Sequence, residues 1–535
     1  MSVTGQVDGG NMTAETAPAG SPKQGRPGAS AVIVAVLLGL FLTTVIRLAW
    51  YGDDWLITLR TVLNAVHGNG LVYNVDERVA AYTHPLWMLL ILGVGAISGS
   101  WVTAVIAVSV CLSLATAAIL LVRTRTVTAT LAIGTAMIVS NTVTVWSTGG
   151  LEGPLAGLLI VCFIAAAQWA TTSRLRGMGW GLLAAGIYLT RADAMILIVP
   201  LMVYAAIRWR RAGLPSRWPI SGLLMPVLAW SVFSWAYYGS VLPNTYAAKT
   251  NVAIPASELI DQGMFYLRYS VGFDPGVWVP LVLAVVAWLL TRSRVALMLA
   301  IGVLSYLAYV VWVGGDFMAG RFLYLPVIVA LAAVAEASRL PKAWSGRVWQ
   351  VSMVSAVVLL VLLGFTGSYA MTTNTNTLAV MGRGVVDERA FWVSAANTNM
   401  VGHRSGSPAI SGMDPAAIER AADGWTAIGA ASERAVLVDF AGIGLKGMQQ
   451  GPSVHILDQS ALTDRFLADQ TFVPVAGPPS PLDPLFLSGP GWRVGHYVRP
   501  VPAGYLEALT WNDPDKVVDP ELRRELRSLW QRIRP

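Results

Sequence analysis

Long apolar runs separated by short polar interruptions fill the first 370 positions of the chain. Eleven such runs fall at 31–50, 102–122, 127–145, 155–171, 178–190, 194–207, 218–238, 277–290, 295–313, 322–338 and 348–370. An α-helix needs roughly 20 apolar residues to cross a bilayer, so the pattern predicts about eleven transmembrane helices. The runs at 178–190 and 194–207 are short and read as half-length helices bent around the polar turn at 190–193. A further short run, 84–99, reads as a re-entrant helix leading into 102–122. The first run ends in Tyr-Gly-Asp-Asp rather than a small-residue cleavage site, which predicts a retained anchor, not a signal peptide.

Composition agrees with that pattern. Hydrophobic residues make up 55% of the 535 positions and charged residues 13%, with a mean hydropathy of +0.58. Soluble proteins carry roughly 25% charge, so a soluble globule is excluded. The formal charge of +7 gives no reason to expect a nucleic-acid partner, because its placement is that of a membrane protein. Cys111 and Cys162 both lie inside apolar runs, so neither a disulfide framework nor a thiolate metal site is expected.

Lys and Arg settle the orientation. Alternate loops hold thirteen against six of them, the rich set including Arg123, Arg174, Arg210 and Arg347. Basic loops stay in the cytoplasm. The tail at 1–30, rich in Gly, Ala, Ser and Pro, is therefore expected to be cytoplasmic and disordered. A transmembrane unit at 31–370 and a polar linker at 371–380 follow. Residues 381–535 hold nearly half of the chain's formal charges, with short β-like runs between Gly- and Pro-rich turns. They read as an extracytoplasmic α+β domain ending in a helix with Leu522, Leu526, Leu529 and Ile533 on one face.

The first outer loop carries the candidate chemistry. Trp55, Leu56, Leu59, Val62, Leu63 and Val66 share one helical face, and Thr58, Arg60, Thr61, Asn64 and His67 the other. The pattern predicts a helix lying flat at the bilayer surface, apolar side down, with Asp53 and Asp54 at its start. Asp54 as a helix cap beside a solvated Asp53 is one reading. The other is a carboxylate acting as general base for a hydroxyl, or holding a sugar or a divalent cation. Other outer interruptions hold Glu152, Arg191, Asp193, Lys249, Asp316 and Arg321. Both signs of charge gathered on one rim suggest a cleft with cations for a phosphate and acids for hydroxyls. Asp193 pairing with Arg191, and Asp316 with Arg321, are the plain structural alternatives.

The GDD start, the GxGLVYNxxERVxAYTHPLW loop, TGGLE, LTRAD, PNTYAAK and GGDFMxGRF together resemble the polyprenyl-phosphosugar-dependent glycosyltransferases of the GT-C fold. The external stretches VLVDFAGIGLKGMQQ and WRVGHYVRPVPAGY resemble the actinobacterial arabinofuranosyltransferases that cap cell-wall arabinan of arabinogalactan and lipoarabinomannan through β-(1→2) linkages. The resemblance implies a GT-C-like helical membrane domain in the plasma membrane, with its site on the outer face. It implies decaprenyl-phosphate-arabinose as donor, the lipid lying between helices, and arabinan as acceptor. By the same resemblance Asp53, with Asp54, acts at the acceptor hydroxyl, and Lys249, Arg191 and Arg321 meet the donor phosphate. Glu152, Asp193, Asn64, His67, His84 and Asp316 are the expected substrate contacts. No cofactor is required beyond a possible cation at Asp53/Asp54. A polyprenyl-phosphate-mannose-dependent mannosyltransferase and a lipid-linked sugar transporter are the alternatives; the absence of an inverted repeat disfavours the transporter.

Overall fold

Apolar runs punctuated by Ser, Thr, Gly and Pro become helices that start and stop at those residues. The computed structural model describes residues 31–534 except 168–172, 212, 214–216, 374–379, 382, 397, 399–409, 430–433, 441 and 476–486. The expected tail at 1–30 and most of the expected linker lie outside the described residues. In chain order the helices are α1 (Ala31–Arg47), α2 (Asp54–Val66), α3 (Pro85–Ser98), α4 (Trp101–Arg123), α5 (Val127–Val139), α6 (Asn141–Trp146), α7 (Gly153–Ala166) and α8 (Arg174–Thr190). There follow α9 (Met195–Arg211), α10 (Arg217–Tyr238), α11 (Asn244–Thr250), α12 (Ala256–Phe273), α13 (Trp278–Thr291), α14 (Arg294–Trp312), α15 (Arg321–Ala337), α16 (Pro341–Ser345) and α17 (Arg347–Thr373).

Among the described residues five helices are long and apolar enough to cross a membrane, and α12 with α13 makes a sixth candidate bent by 106°. α1, α3, α5 and α7 are apolar but shorter. The run at 194–207 is not half-length as expected: with its short 3-10 lead-in it forms a continuous 20-residue rod, Ala192–Arg211. α15 is the axis of the bundle, buried from Leu323 to Ala337. α10 lies at the periphery, where Leu228, Val232 and Trp235 are exposed. It meets α8 through two glycines: a Cβ on Gly181 would fall 2.1 Å from the Pro219 carbonyl oxygen, and one on Gly222 2.2 Å from that of Met178. Small residues at such a crossing let backbones touch where no hydrophobic effect drives association.

After the bundle come β1 (Val380–Met381), β2 (Val385–Val386), α18 (Glu388–Ala396), α19 (Pro415–Asp423), β3 (Val436–Asp439), α20 (Ile443–Gln450), β4 (His455–Asp458), α21 (Arg465–Asp469), α22 (Tyr505–Trp511) and α23 (Pro520–Ile533). β1 and β2 are antiparallel. β3 and β4 run parallel, Val436 opposite His455, with α20 as the crossover. On α23, Leu526, Leu529 and Ile533 are buried as their spacing predicts. Their core takes in Val79 from the loop between α2 and α3 and Ala248 from α11, so this part shares a core with the loops of the bundle.

That docking changes the expected surface helix. Every residue of α2 from Trp55 to Asn64 is buried, the polar face included. Arg60 donates to the carbonyls of Tyr73 (2.8 Å), Gly451 (2.8 Å), Val454 (2.9 Å) and Gly447. Asn64 donates to the carbonyls of Val72 (2.9 Å) and Tyr73 (3.1 Å) and accepts from the Trp425 indole (3.0 Å). α2 is a buried tie between two layers, not a raft on the bilayer. The polar stripe that looked solvated is the seat of the C-terminal part.

Candidate active site

Five separate loops deliver the rim charges to one place because each interrupts the bundle at the same end. Arg321 opens α15, with its guanidinium 3.7 Å from Asp316 and 4.0 Å from both Glu152 and Asp54. Arg191 bridges Glu152 (3.2 Å) and Asp193 (3.0 Å), and the Tyr306 hydroxyl donates to Asp193 (2.7 Å). His84 stands against Glu152 (3.4 Å) while its other ring nitrogen meets the Thr58 hydroxyl (2.9 Å). The two pairings foreseen as plain alternatives, Arg191–Asp193 and Arg321–Asp316, both exist, inside a larger network.

A cavity of about 610 Å³ opens on this network. Its lining includes the charged side chains of Glu152, Arg191, Asp193, Lys249, Asp316 and Arg321. The same lining holds the apolar and aromatic side chains of Trp230, Val241, Leu242, Tyr246, Tyr309 and Trp312, Trp230 coming from α10. Lys249 presents its side chain to the cavity, from α11. Three buried atoms of the charged network, Glu152 Oε2, Asp316 Oδ2 and Arg321 Nε, make no hydrogen bond to any described residue. Buried polar atoms are nearly always paired, and exceptions concentrate at working sites.

The adjacent aspartates face different partners. Both oxygens of Asp53 are taken by amides at the start of α20, Gly444 N at 3.0 Å and Leu445 N at 2.6 Å. Asp53 is thus the anion at a helix N-terminus, a favourable setting, although burial pushes its carboxyl up to about 7 against those two bonds, with the Asp54 charge adding to the rise. The approach needs a glycine, since a Cβ on Gly444 would lie 2.2 Å from the Asp53 carbonyl oxygen. Asp54 is the first residue of α2, its side chain 35% exposed and aimed towards Arg321. Its carboxyl is raised, by burial first, opposed by Arg321 and Lys249 and reinforced by Asp316 and Glu152. Glu152 goes the other way: burial alone would raise it, but His84, Arg191 and Arg321 bring it down to about 2.

Two expected substrate contacts lie away from the cavity. Asn64 is fully buried, bound to backbone and Trp425, and is not among the residues lining the cavity. His67 ends α2, its ring nitrogen 2.9 Å from the Leu63 carbonyl, and is not among the residues lining the cavity. Each Asp53 oxygen accepts an α20 amide, so a cation shared with Asp54 would have to compete with those bonds. Among the described residues the three side chains spaced to hold a metal are Glu77, His455 and Asp464, in the interface between the loop after α2 and the C-terminal part. Sequence reading missed Glu388 and Arg493, whose charges act on each other and, in both cases, with those of Asp54 and Asp316. No spacing signal links residues so far apart.

The chain resembles terminal β-(1→2)-arabinofuranosyltransferases. It is 29% identical to the one from Mycobacterium tuberculosis, over 65% of this chain and 62% of that protein. It is 28% identical to the one from Corynebacterium glutamicum, over 65% of this chain and 56% of that protein. The match thus spans less than two thirds of either relative's length. No family model matches the chain. Among solved structures, ArnT from Cupriavidus metallidurans bound to undecaprenyl phosphate aligns with a TM-score of 0.44 at 14% identity, over 81% of this chain and 86% of that one.

Proposed function

We propose that the protein is a membrane glycosyltransferase that moves arabinofuranose from decaprenyl-phosphate-arabinose to the non-reducing ends of arabinan, at the outer face of the plasma membrane. The observation that carries this reading is the mixed lining of the cavity. A lipid phosphate needs apolar surface for its chain and cations for its head, and the lining combines Trp230, Val241, Leu242 and Trp312 with Arg321 and Lys249. The named relatives supply the sugar and the linkage class, and the Lys/Arg asymmetry supplies the side of the membrane.

In this reading Arg321 and Lys249 hold the phosphate and stabilise the charge that grows on its departing oxygen. Arg191, already bound to Glu152 and Asp193, keeps those two carboxylates in place for the sugar hydroxyls. Asp54 takes the proton from the attacking hydroxyl, because it is the aspartate of the pair with open surface. Asp53 serves as the anchor of α20. The C1–O bond to the phosphate breaks, a bond from C1 to the acceptor oxygen forms, and the polyprenyl phosphate leaves as an anion. Incubating detergent-purified protein with labelled decaprenyl-phosphate-arabinose, or with the mannose analogue, and an arabinan fragment tests this. Transfer of the pentose supports the reading; transfer of mannose alone moves the protein to the mannosyltransferase alternative.

A further inference from the structure

We propose that Glu388 is a further carboxylate of the site, carrying the resting proton of an Asp54–Glu388 pair and so keeping Asp54 in the ionised form that accepts the hydroxyl's proton. This rests on the transferase reading above and adds to it a residue from the far end of the chain. The backbone brings it there. The Val386 amide donates to the Phe317 carbonyl (2.7 Å) and the Ala319 amide to that of Val386 (2.9 Å), stitching β2 to the loop that carries Asp316 and Arg321. The next two residues emerge beside that loop, and α18 continues over the end of α1, where Arg389 donates to the Leu48 carbonyl (2.8 Å).

Trp392, one turn along α18, fixes the carboxylate. Its indole donates to Glu388 Oε2 at 2.6 Å. The same indole rests on Gly52, where a Cβ would sit 3.4 Å from the Trp392 nitrogen. Glu388, Trp392 and the Gly52–Asp54 turn therefore form one stack. Among the described residues Trp392 is the sole hydrogen-bond partner of the Glu388 carboxylate, which is 9% exposed. The charged groups facing it are Asp54 from α2, Asp316 from the 314–320 loop and Arg493 from the 488–497 segment. Two acids and one cation around a buried carboxylate favour its neutral form: burial first and then the Asp54 charge raise it to about 8, against Arg493 and the Trp392 bond. Neighbouring like charges do not both ionise readily, and Asp54 has Arg321 and Lys249 favouring its anion where Glu388 has Arg493 and the Trp392 bond, so the proposal puts the proton on Glu388 and the negative charge on Asp54. During transfer the pair goes from one proton to two, and one returns to water as product leaves.

Ionisation of Glu388 would add a further negative charge next to Asp54 and Asp316, which weakens the hold of the site on an anionic donor. The proposal therefore expects kcat/KM to fall on the alkaline side of a pH profile, with an apparent pKa near the value of about 8 given above. Glu388→Gln keeps an acceptor for Trp392 but cannot ionise. Whatever rate that variant retains should lack the alkaline limb. Trp392→Phe removes the bond that favours the ionised form, so the limb should move to higher pH. An alkaline limb of unchanged position in both variants overturns the proposal while leaving the transferase reading intact. A wild-type protein that transfers no sugar from either lipid phosphate at any pH sinks both. If Glu388→Gln does not fold, the Trp392→Phe shift alone decides.

Discussion

Replacing Asp54 with Asn removes charge and basicity while keeping volume. Little else in the network should move, because Arg321 retains Asp316 at 3.7 Å and Glu152 at 4.0 Å. The lost ion pair is long, 4.0 Å, with a partly exposed acid; such pairs contribute about 0–1 kcal/mol. The chemical loss is much larger. Removing a general base typically lowers the rate by about 10²–10⁴-fold, or about 2.7–5.4 kcal/mol of barrier. The assay is initial rates with labelled lipid-phosphate pentose, beside thermal unfolding of the same preparation. Asp53→Ala is the contrast. It strips the acceptor from two buried amides, each worth about 1–3 kcal/mol when left unpaired, so it should loosen α20 and lower the melting temperature. Turnover per folded molecule should suffer less than in Asp54→Asn. Near-wild-type turnover in Asp54→Asn, with a collapse in Asp53→Ala that stability does not explain, would refute this assignment and return the base to Asp53.

Other predictions follow from the same geometry. Lys249→Gln and Arg321→Gln should each weaken donor use about 10- to 150-fold, the loss of one charged hydrogen bond of about 1.5–3 kcal/mol, with acceptor KM little changed; a loss confined to the acceptor would contradict the phosphate role. Glu152 is held at about 2, below its unfolded value of about 4.3. A depressed carboxyl contributes stability above its unfolded value and loses it as pH falls through the folded one. The stability advantage of wild type over Glu152→Gln should thus be full at neutral pH and vanish between about pH 4 and 2; a constant gap in pH-dependent unfolding would rule this out. Gly444→Ala forces a Cβ to within 2.2 Å of the Asp53 carbonyl oxygen, an overpacking of about 1–3 kcal/mol. Limited proteolysis should then cut the 440–452 segment faster than in wild type. Reporter fusions after Met371 should behave as exported, and cytoplasmic behaviour there would overturn the orientation.

Much of the site was legible because a membrane chain places charge sparingly. Glu152, Arg191, Asp193, Lys249, Asp316 and Arg321 stand out in an apolar sequence, and their common side follows from counting Lys and Arg in alternate loops. What sequence did not carry was the partner of each group. Asp53 looked like the open carboxylate because its true partners, the amides of Gly444 and Leu445, lie nearly four hundred positions downstream. Asn64 looked solvated for the same reason, its face being covered by Trp425. Arg60 sits on that face too, ringed by carbonyls of the C-terminal part. Helix counting from apolar runs met a different limit. Lengths such as the 13 residues of α5 and the 14 of α7 leave crossing to packing rather than to composition. α12 and α13 show this directly, for their joint at Asp274 bends by 106°.

In the proposed reading the cavity takes a polyprenyl-phosphate sugar, head at Arg321 and Lys249, tail beside α10. The most direct test of that reading is transfer from decaprenyl-phosphate-[¹⁴C]arabinose to a synthetic arabinan fragment by purified wild-type protein and by the Lys249→Gln/Arg321→Gln double variant. Linkage analysis of the product completes the measurement. The account predicts a β-(1→2)-linked arabinofuranose at the non-reducing end with wild type and a loss of at least the single-variant magnitude with the double variant. Wild-type protein that leaves the arabinose donor untouched, or a double variant that uses it as readily as wild type, would contradict the account.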